Sequence, residues 1–227
     1  YVRGYATVLP RTIDDANFDF YGRTLNGQPQ QRERWKRAIA AVNNALGEAV
    51  GQIYVARHFP PEAKAQTLEL VENMRRAYGE RIRAVTWMSD ETKTAALEKL
   101  ASFRPKIGYP DRWRDYSQYE VRAGDAFGNT VRLAQWTWQH DLDRLGRPSD
   151  REEWFMVPHA VNAYYNPPFN EIVFPAGYLQ PPLFDPNADA GCNYGGVGGV
   201  IGHELGHGFA EQGAQSAARR VLRDRRQ

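Results

Sequence analysis

The most constraining stretch of this chain runs from Tyr194 to Phe209, where glycine is dense yet apolar residues keep helical spacing. Val197, Val200, Ile201 and Leu205 recur every three or four residues, the period of one helix face. Each glycine inside a helix costs up to about 1 kcal/mol relative to alanine. Gly195, Gly196, Gly198, Gly199 and Gly202 therefore need a compensating reason, and close approach to another backbone supplies one. The spacing predicts a helix from Asn193 to about Phe209. Within it stand His203-Glu204-Leu205-Gly206-His207. Positions i and i+4 share a helix face one turn apart. Two imidazoles so placed can grip one zinc ion with bonds of about 2.0–2.1 Å. Glu204 can reach water on such an ion, whose pKa falls towards about 7, and take its proton. The apolar flank predicts that both histidines are buried, and buried imidazoles need partners, which a metal provides.

The residues around the motif narrow the zinc class. Metzincins carry Gly three residues and His six residues after the second histidine. Here those positions are Ala210 and Gly213, so that class is excluded. Glu211 is the one glutamate after His207, and it lies eight residues from His203, about 12 Å along a straight helix. One ion cannot take all three. The glycine run lacks G-x-G-x-x-G spacing and the Lys-Ser/Thr of a phosphate loop, which excludes a nucleotide-binding reading. Cys192 reads as a small buried apolar residue. His58, His140 and His159 read as ordinary polar contacts.

Composition excludes other classes. A single cysteine in 227 residues cannot build a disulfide scaffold. No apolar run approaches the roughly 18 residues a membrane span needs. Twenty-nine Lys and Arg against 27 Asp and Glu leave a net charge of +2, which argues against a dedicated nucleic-acid binder. The excess lies in Arg219, Arg220, Arg223, Arg225 and Arg226, read as a solvated helix end. The chain opens at Tyr1 without an initiator methionine or a signal peptide, which suggests a piece of a longer protein.

The first 145 residues read as mostly helical. Trp35, Ile39, Val42, Leu46, Val50, Ile53 and Tyr54 mark a helix from Arg32 to Arg57, ended by His58-Phe59-Pro60-Pro61. Leu68, Val71, Met74, Tyr78 and Ile82 mark a second from Glu62 to Val85. Ser89 caps a third, with Asp90 and Glu91 in its first turn, to about Ser102. A fourth covers Asp125 to Leu145, and residues 105–116 read as irregular. After Pro148 the character changes. Residues 154–157, 161–165 and 171–174 read as short strands separated by proline-rich turns. The predicted class is α+β.

With these motifs in view, the chain resembles the neprilysin and endothelin-converting-enzyme family of zinc metalloendopeptidases, in a bacterial form. The resemblance rests on Val161-Asn162-Ala163-Tyr164-Tyr165, Asn170-Glu171-Ile172-Val173-Phe174-Pro175-Ala176, Leu179-Gln180-Pro181-Pro182, Asn193-Tyr194-Gly195-Gly196 and Val200 through Phe209. Asp19-Phe20-Tyr21-Gly22, Arg34-Trp35-Lys36-Arg37, Trp87-Met88 and Ile107-Gly108-Tyr109-Pro110 extend it through the first half.

The resemblance implies residues 1–108 as part of a helical cap that limits substrates to peptides. It implies 109–227 as the first part of a thermolysin-like zincin catalytic domain, cut after the active-site helix. It implies His203 and His207 as zinc ligands, Glu204 as the catalytic base, and Asn162 with Ala163 on an edge strand as the site that aligns peptide substrates. It also implies one Zn2+ whose third protein ligand, a glutamate, lies beyond Gln227, and a place of work outside the cytoplasm. The chain departs from the family pattern at Ala210, where an aspartate is usual, and at Arg225-Arg226, where a tryptophan pair is usual. The expectation is therefore that this chain alone holds zinc weakly and is not a competent peptidase. The alternative is a catalytically dead, peptide-binding or structural remnant.

Overall fold

The computed structural model describes residues 2–210 and Gly213; Glu211 and the arginine-rich end lie outside the described residues. The helices are α1 (Val2–Tyr5), α2 (Arg11–Asn17), α3 (Arg34–His58), α4 (Pro61–Ala84), α5 (Asp90–Ala101), α6 (Ala126–Asp143), α7 (Ala190–Asn193) and α8 (Gly199–His207). The strands are β1 (Arg104–Gly108), β2 (Tyr164–Asn166) and β3 (Glu171–Pro175). A wider-wound turn, Tyr194–Gly198, joins α7 to α8. The α+β class holds.

Local signals account for the starts of α4, α5 and α6. Pro61 opens α4, where its missing N–H costs nothing. The Ser89 hydroxyl accepts from the Thr92 N–H at 3.2 Å and caps α5 as the sequence predicts. Asp125 caps α6 by accepting from the Gly128 N–H at 2.8 Å.

Two compact units divide the chain: residues 1–49 with 113–150, and residues 50–112 with 151 onward. Strand β1, which ends at Gly108, lies in the second unit, where it pairs with β3. The boundary between the units falls inside α3, near Leu46, whose φ of −130° and ψ of 34° break the helix.

In the first unit, buried Asp14 accepts from Arg37 at 2.6 Å and from Gln31 at 3.2 Å. The Tyr116 and Trp136 rings stack with centroids 5.5 Å apart. Trp35, Ile39 and Val42, part of the apolar stripe that marks α3, are exposed. Periodicity reports an apolar face and does not say what covers it.

The second unit carries the candidate site. Its sheet has the order β1-β3-β2, with β1 parallel and β2 antiparallel to β3. All five residues of β3 are buried, which explains its unbroken Ile172-Val173-Phe174 run. Glu171 is fully buried in that strand and pairs with Lys106 at 2.9 Å. The sequence reading missed β1 because Pro105 and Lys106 are poor strand residues. An edge position tolerates the proline. Residues 154–157 form no strand; Trp154 is buried there from a loop. The strand expected at 161–165 is displaced to Tyr164–Asn166, so Asn162 and Ala163 precede it.

The helix α8 packs on α4, β2 and β3. Val197, Ile201 and Leu205 are inaccessible to solvent and join Leu70, Phe103, Ile172 and Phe174 in one core. The close backbone approach expected of the glycine run is found at Gly196, whereas a Cβ on Gly195 or Gly199 would meet nothing within 4 Å. A Cβ on Gly196 would collide with the Leu183 carbonyl oxygen, which accepts from the Val197 N–H at 2.9 Å. A Cβ on Gly202 or Gly206 would lie 3.4 Å from Met74 Cε or the Tyr78 hydroxyl, so α4 runs close along α8.

Candidate metal centre

Helix α8 divides its faces cleanly. Ile201 and Leu205, four residues apart, enter the core. His203 and His207, also four apart, point the other way and are exposed. The expectation that both histidines are buried is therefore wrong: the apolar residues occupy one stripe and leave the imidazoles facing a cleft. Their ring centroids lie 4.5 Å apart at a near-perpendicular 78°. Glu204 sits at the margin of the two faces and is buried, with 6% of its surface exposed.

One donor atom from each of His203, Glu204 and His207 lies within 4.8 Å of the others. Neighbouring ligands of a tetrahedral ion with bonds of 2.0–2.1 Å stand about 3.4 Å apart. The 4.8 Å within which the donor atoms lie is of the same order as that separation. Imidazole nitrogens with a nearby carboxylate also suit the chemistry of Zn2+. The residues present fit the ion.

Burial raises the Glu204 pKa above the ordinary carboxylate value. His207, His203 and a hydrogen bond from the Tyr165 backbone pull it back down. The effect favours a carboxylate able to hold a proton and release it.

The cleft has a volume of about 1100 Å³. Tyr78 and Ile82 of α4, Trp87 after it, Ala163 and Tyr165 are among the residues that line the cleft. The structure thus brings Ala163 to the same cleft as His203, Glu204 and His207. Asn162 is exposed and does not line the cleft; its side-chain oxygen accepts from the Ala163 N–H at 2.9 Å. Tyr165, whose main chain touches Glu204, was missed by sequence reasoning, since a backbone donor leaves no side-chain signature. Ala210 also lines the cleft, and Glu211 lies outside the described residues.

Two other readings are corrected or sharpened. Cys192 is exposed, because α7 is a single turn on the surface and has no buried face at that position. His159 makes no hydrogen bond from either ring nitrogen among the described residues, and burial lowers its pKa.

Comparison with known proteins fixes the family. Two profiles described as peptidase family M13 match residues 1–110 and 162–224, together well over half of the chain. The chain belongs to peptidase family M13. Among solved structures, zinc metalloprotease Zmp1 of Mycobacterium tuberculosis in complex with inhibitor is 49% identical. It superposes with a TM-score of 0.89 over 97% of this chain and 33% of that one. PepO of Lactobacillus rhamnosis is 33% identical with a TM-score of 0.90, over 98% of this chain and 35% of that one. Neprilysin-11 of Caenorhabditis elegans is 35% identical over 94% of this chain and 26% of its own length. The M13 chain described here therefore spans about a third or less of these relatives.

Proposed function

We propose that this chain is the part of a zinc-dependent metalloendopeptidase that carries the two histidine ligands and the catalytic base, acting on oligopeptides. The observation that carries the reading is the His203–Glu204–His207 cluster, with donor atoms within 4.8 Å of one another on the wall of a large cleft.

His203 and His207 would hold the ion through neutral imidazole nitrogens. When bound, zinc polarises a peptide carbonyl and makes water acidic near neutral pH. Glu204 takes the proton of the attacking water and returns it to the leaving amine nitrogen. Its burial and its contact with the Tyr165 N–H keep the carboxylate in one orientation during that exchange. Ala163 and the strand behind it offer main-chain groups on an edge of the sheet, to which an extended peptide can pair. Asn162 supports that pairing once its side chain leaves the Ala163 N–H. A glutamate from beyond Gln227 completes the zinc site in a polypeptide of family length. The family resemblance also supports a place of work outside the cytoplasm.

Two measurements test the reading. Zinc titrated calorimetrically into the chain should bind weakly at one site, and His203→Ala or His207→Ala should abolish that binding. In the polypeptide extended to family length, Glu204→Gln should lower kcat for a peptide substrate by about 10²–10⁴-fold while zinc is retained. Full activity in Glu204→Gln refutes the catalytic assignment.

A further inference from the structure

We infer that Phe103 is a positioning residue for Glu204, acting through β2. The inference rests on the reading of Glu204 as the base, and adds what aims it.

Four rings form one continuous column. Tyr78 of α4 stacks on Phe209, just beyond α8, at 5.5 Å and 24°. Phe209 stacks on Phe103, between α5 and β1, at 5.8 Å and 21°. Phe103 stacks on Tyr165 of β2 at 5.5 Å and 26°. All three pairs are nearly parallel, the geometry of offset stacking. Phe103 is the buried centre of the column, at 4% exposure. It also abuts Gly208, where any Cβ would run into its ring. The ring therefore touches both the residue that follows His207 and the strand residue whose main chain touches Glu204.

The far end of Tyr165 is pinned as well. Its hydroxyl donates to the Asn170 side-chain oxygen at 3.0 Å. The Asn170 amide donates to the Lys99 carbonyl at 3.0 Å and to the Ser102 hydroxyl at 2.8 Å. Asn170 takes a left-handed φ of 52° in the turn from β2 to β3, a conformation asparagine tolerates better than most residues. Tyr165 is thus held by its ring and its hydroxyl.

This anchoring has a purpose that strand pairing does not fulfil. Strand β2 is three residues long and lies at an edge of the sheet, paired on one side to β3. So short an edge strand has little stability of its own. Its Tyr165 N–H nevertheless contacts a buried carboxylate that must be aimed to a fraction of an ångström to serve as a base. The column locks the strand to the helix that carries Glu204, and so converts a weak edge into a fixed donor.

The test is backbone amide exchange in the zinc-free chain, read by NMR at Tyr165 and at Val173 of fully buried β3. Phe103→Leu and Phe209→Leu should each speed exchange at Tyr165 about tenfold relative to Val173. Phe103→Tyr, which keeps the ring, should restore the protection. Glu204→Ala should speed Tyr165 by a similar factor, with no further gain in the double variant. Should Phe103→Leu fail to fold, the half-buried Phe209 position decides alone. Equal acceleration at Tyr165 and Val173 would show a packing role only and overturn the inference, as would an unchanged Tyr165. A failure of the catalytic reading shows separately, as persistent hydrolysis by Glu204→Gln with these exchange rates intact.

Discussion

Gly196 and Gly199 are three residues apart, and the same substitution should have opposite effects at the two. At Gly199 a Cβ meets nothing within 4 Å, and the backbone is helical at φ −59° and ψ −39°. Gly199→Ala should therefore stabilise the chain by the helix-propensity difference, about 0.5–1 kcal/mol. At Gly196 the added carbon strikes the Leu183 carbonyl, which is backbone and cannot rotate away. Making room weakens the 2.9 Å bond from the Val197 N–H to that oxygen, beside a residue with no exposed surface. Leaving a buried polar group unpaired costs about 1–3 kcal/mol, and overpacking adds about 1–3 kcal/mol. Offsetting the propensity gain leaves Gly196→Ala about 1–5.5 kcal/mol less stable than the parent. For a chain of this size 1 kcal/mol moves Tm by about 2–4 °C. The two variants should therefore melt several degrees apart on either side of the parent, and urea midpoints should order the same way. If Gly196→Ala matches Gly199→Ala in both assays, the claim that Gly196 is required for close approach to the Leu183 backbone is wrong.

Three further outcomes follow from the packing. Lys106→Met should cost about 3–5 kcal/mol in urea unfolding, because it leaves Glu171 buried with only Arg151 and Arg104, at 3.6 and 3.9 Å; adding Glu171→Gln should recover most of the loss. Burial pushes the Tyr164 phenol up to about 12 from 10.0. Its folded value is the higher one, so its contribution is intact below pH 10 and is lost as pH rises through 12; Tyr164→Phe should flatten the fall in stability over that window, followed by tyrosinate absorbance and urea midpoints. Ser89→Ala should cost about 0.5–2 kcal/mol by removing the Thr92 cap, measurable as a lower urea midpoint.

The chemistry-bearing part of the site was legible because its signal is local. His203, Glu204 and His207 need only helical spacing to come together, and five consecutive residues carry that information. The cap at Ser89 is equally local, and so is the glycine density, whose cost alone demanded a close neighbour. The apolar stripe of α4 was also visible, and Met74 and Tyr78 in it meet α8 at Gly202 and Gly206.

What the sequence by itself determined, then, is the α+β class, the helix that presents two imidazoles and a carboxylate, and the family to which these motifs belong. Only the tertiary structure decided the rest. It pairs Arg104–Gly108 with Glu171–Pro175 across more than sixty residues and packs α4 on α8. It turns the histidines towards a cleft while burying the glutamate between them. It brings the Tyr165 N–H to Glu204, through a ring column assembled from four separate segments. The physical reason is one of range: periodicity and capping act over a few residues, whereas pairing, burial and a backbone donor's aim depend on neighbours that the folded chain alone brings near.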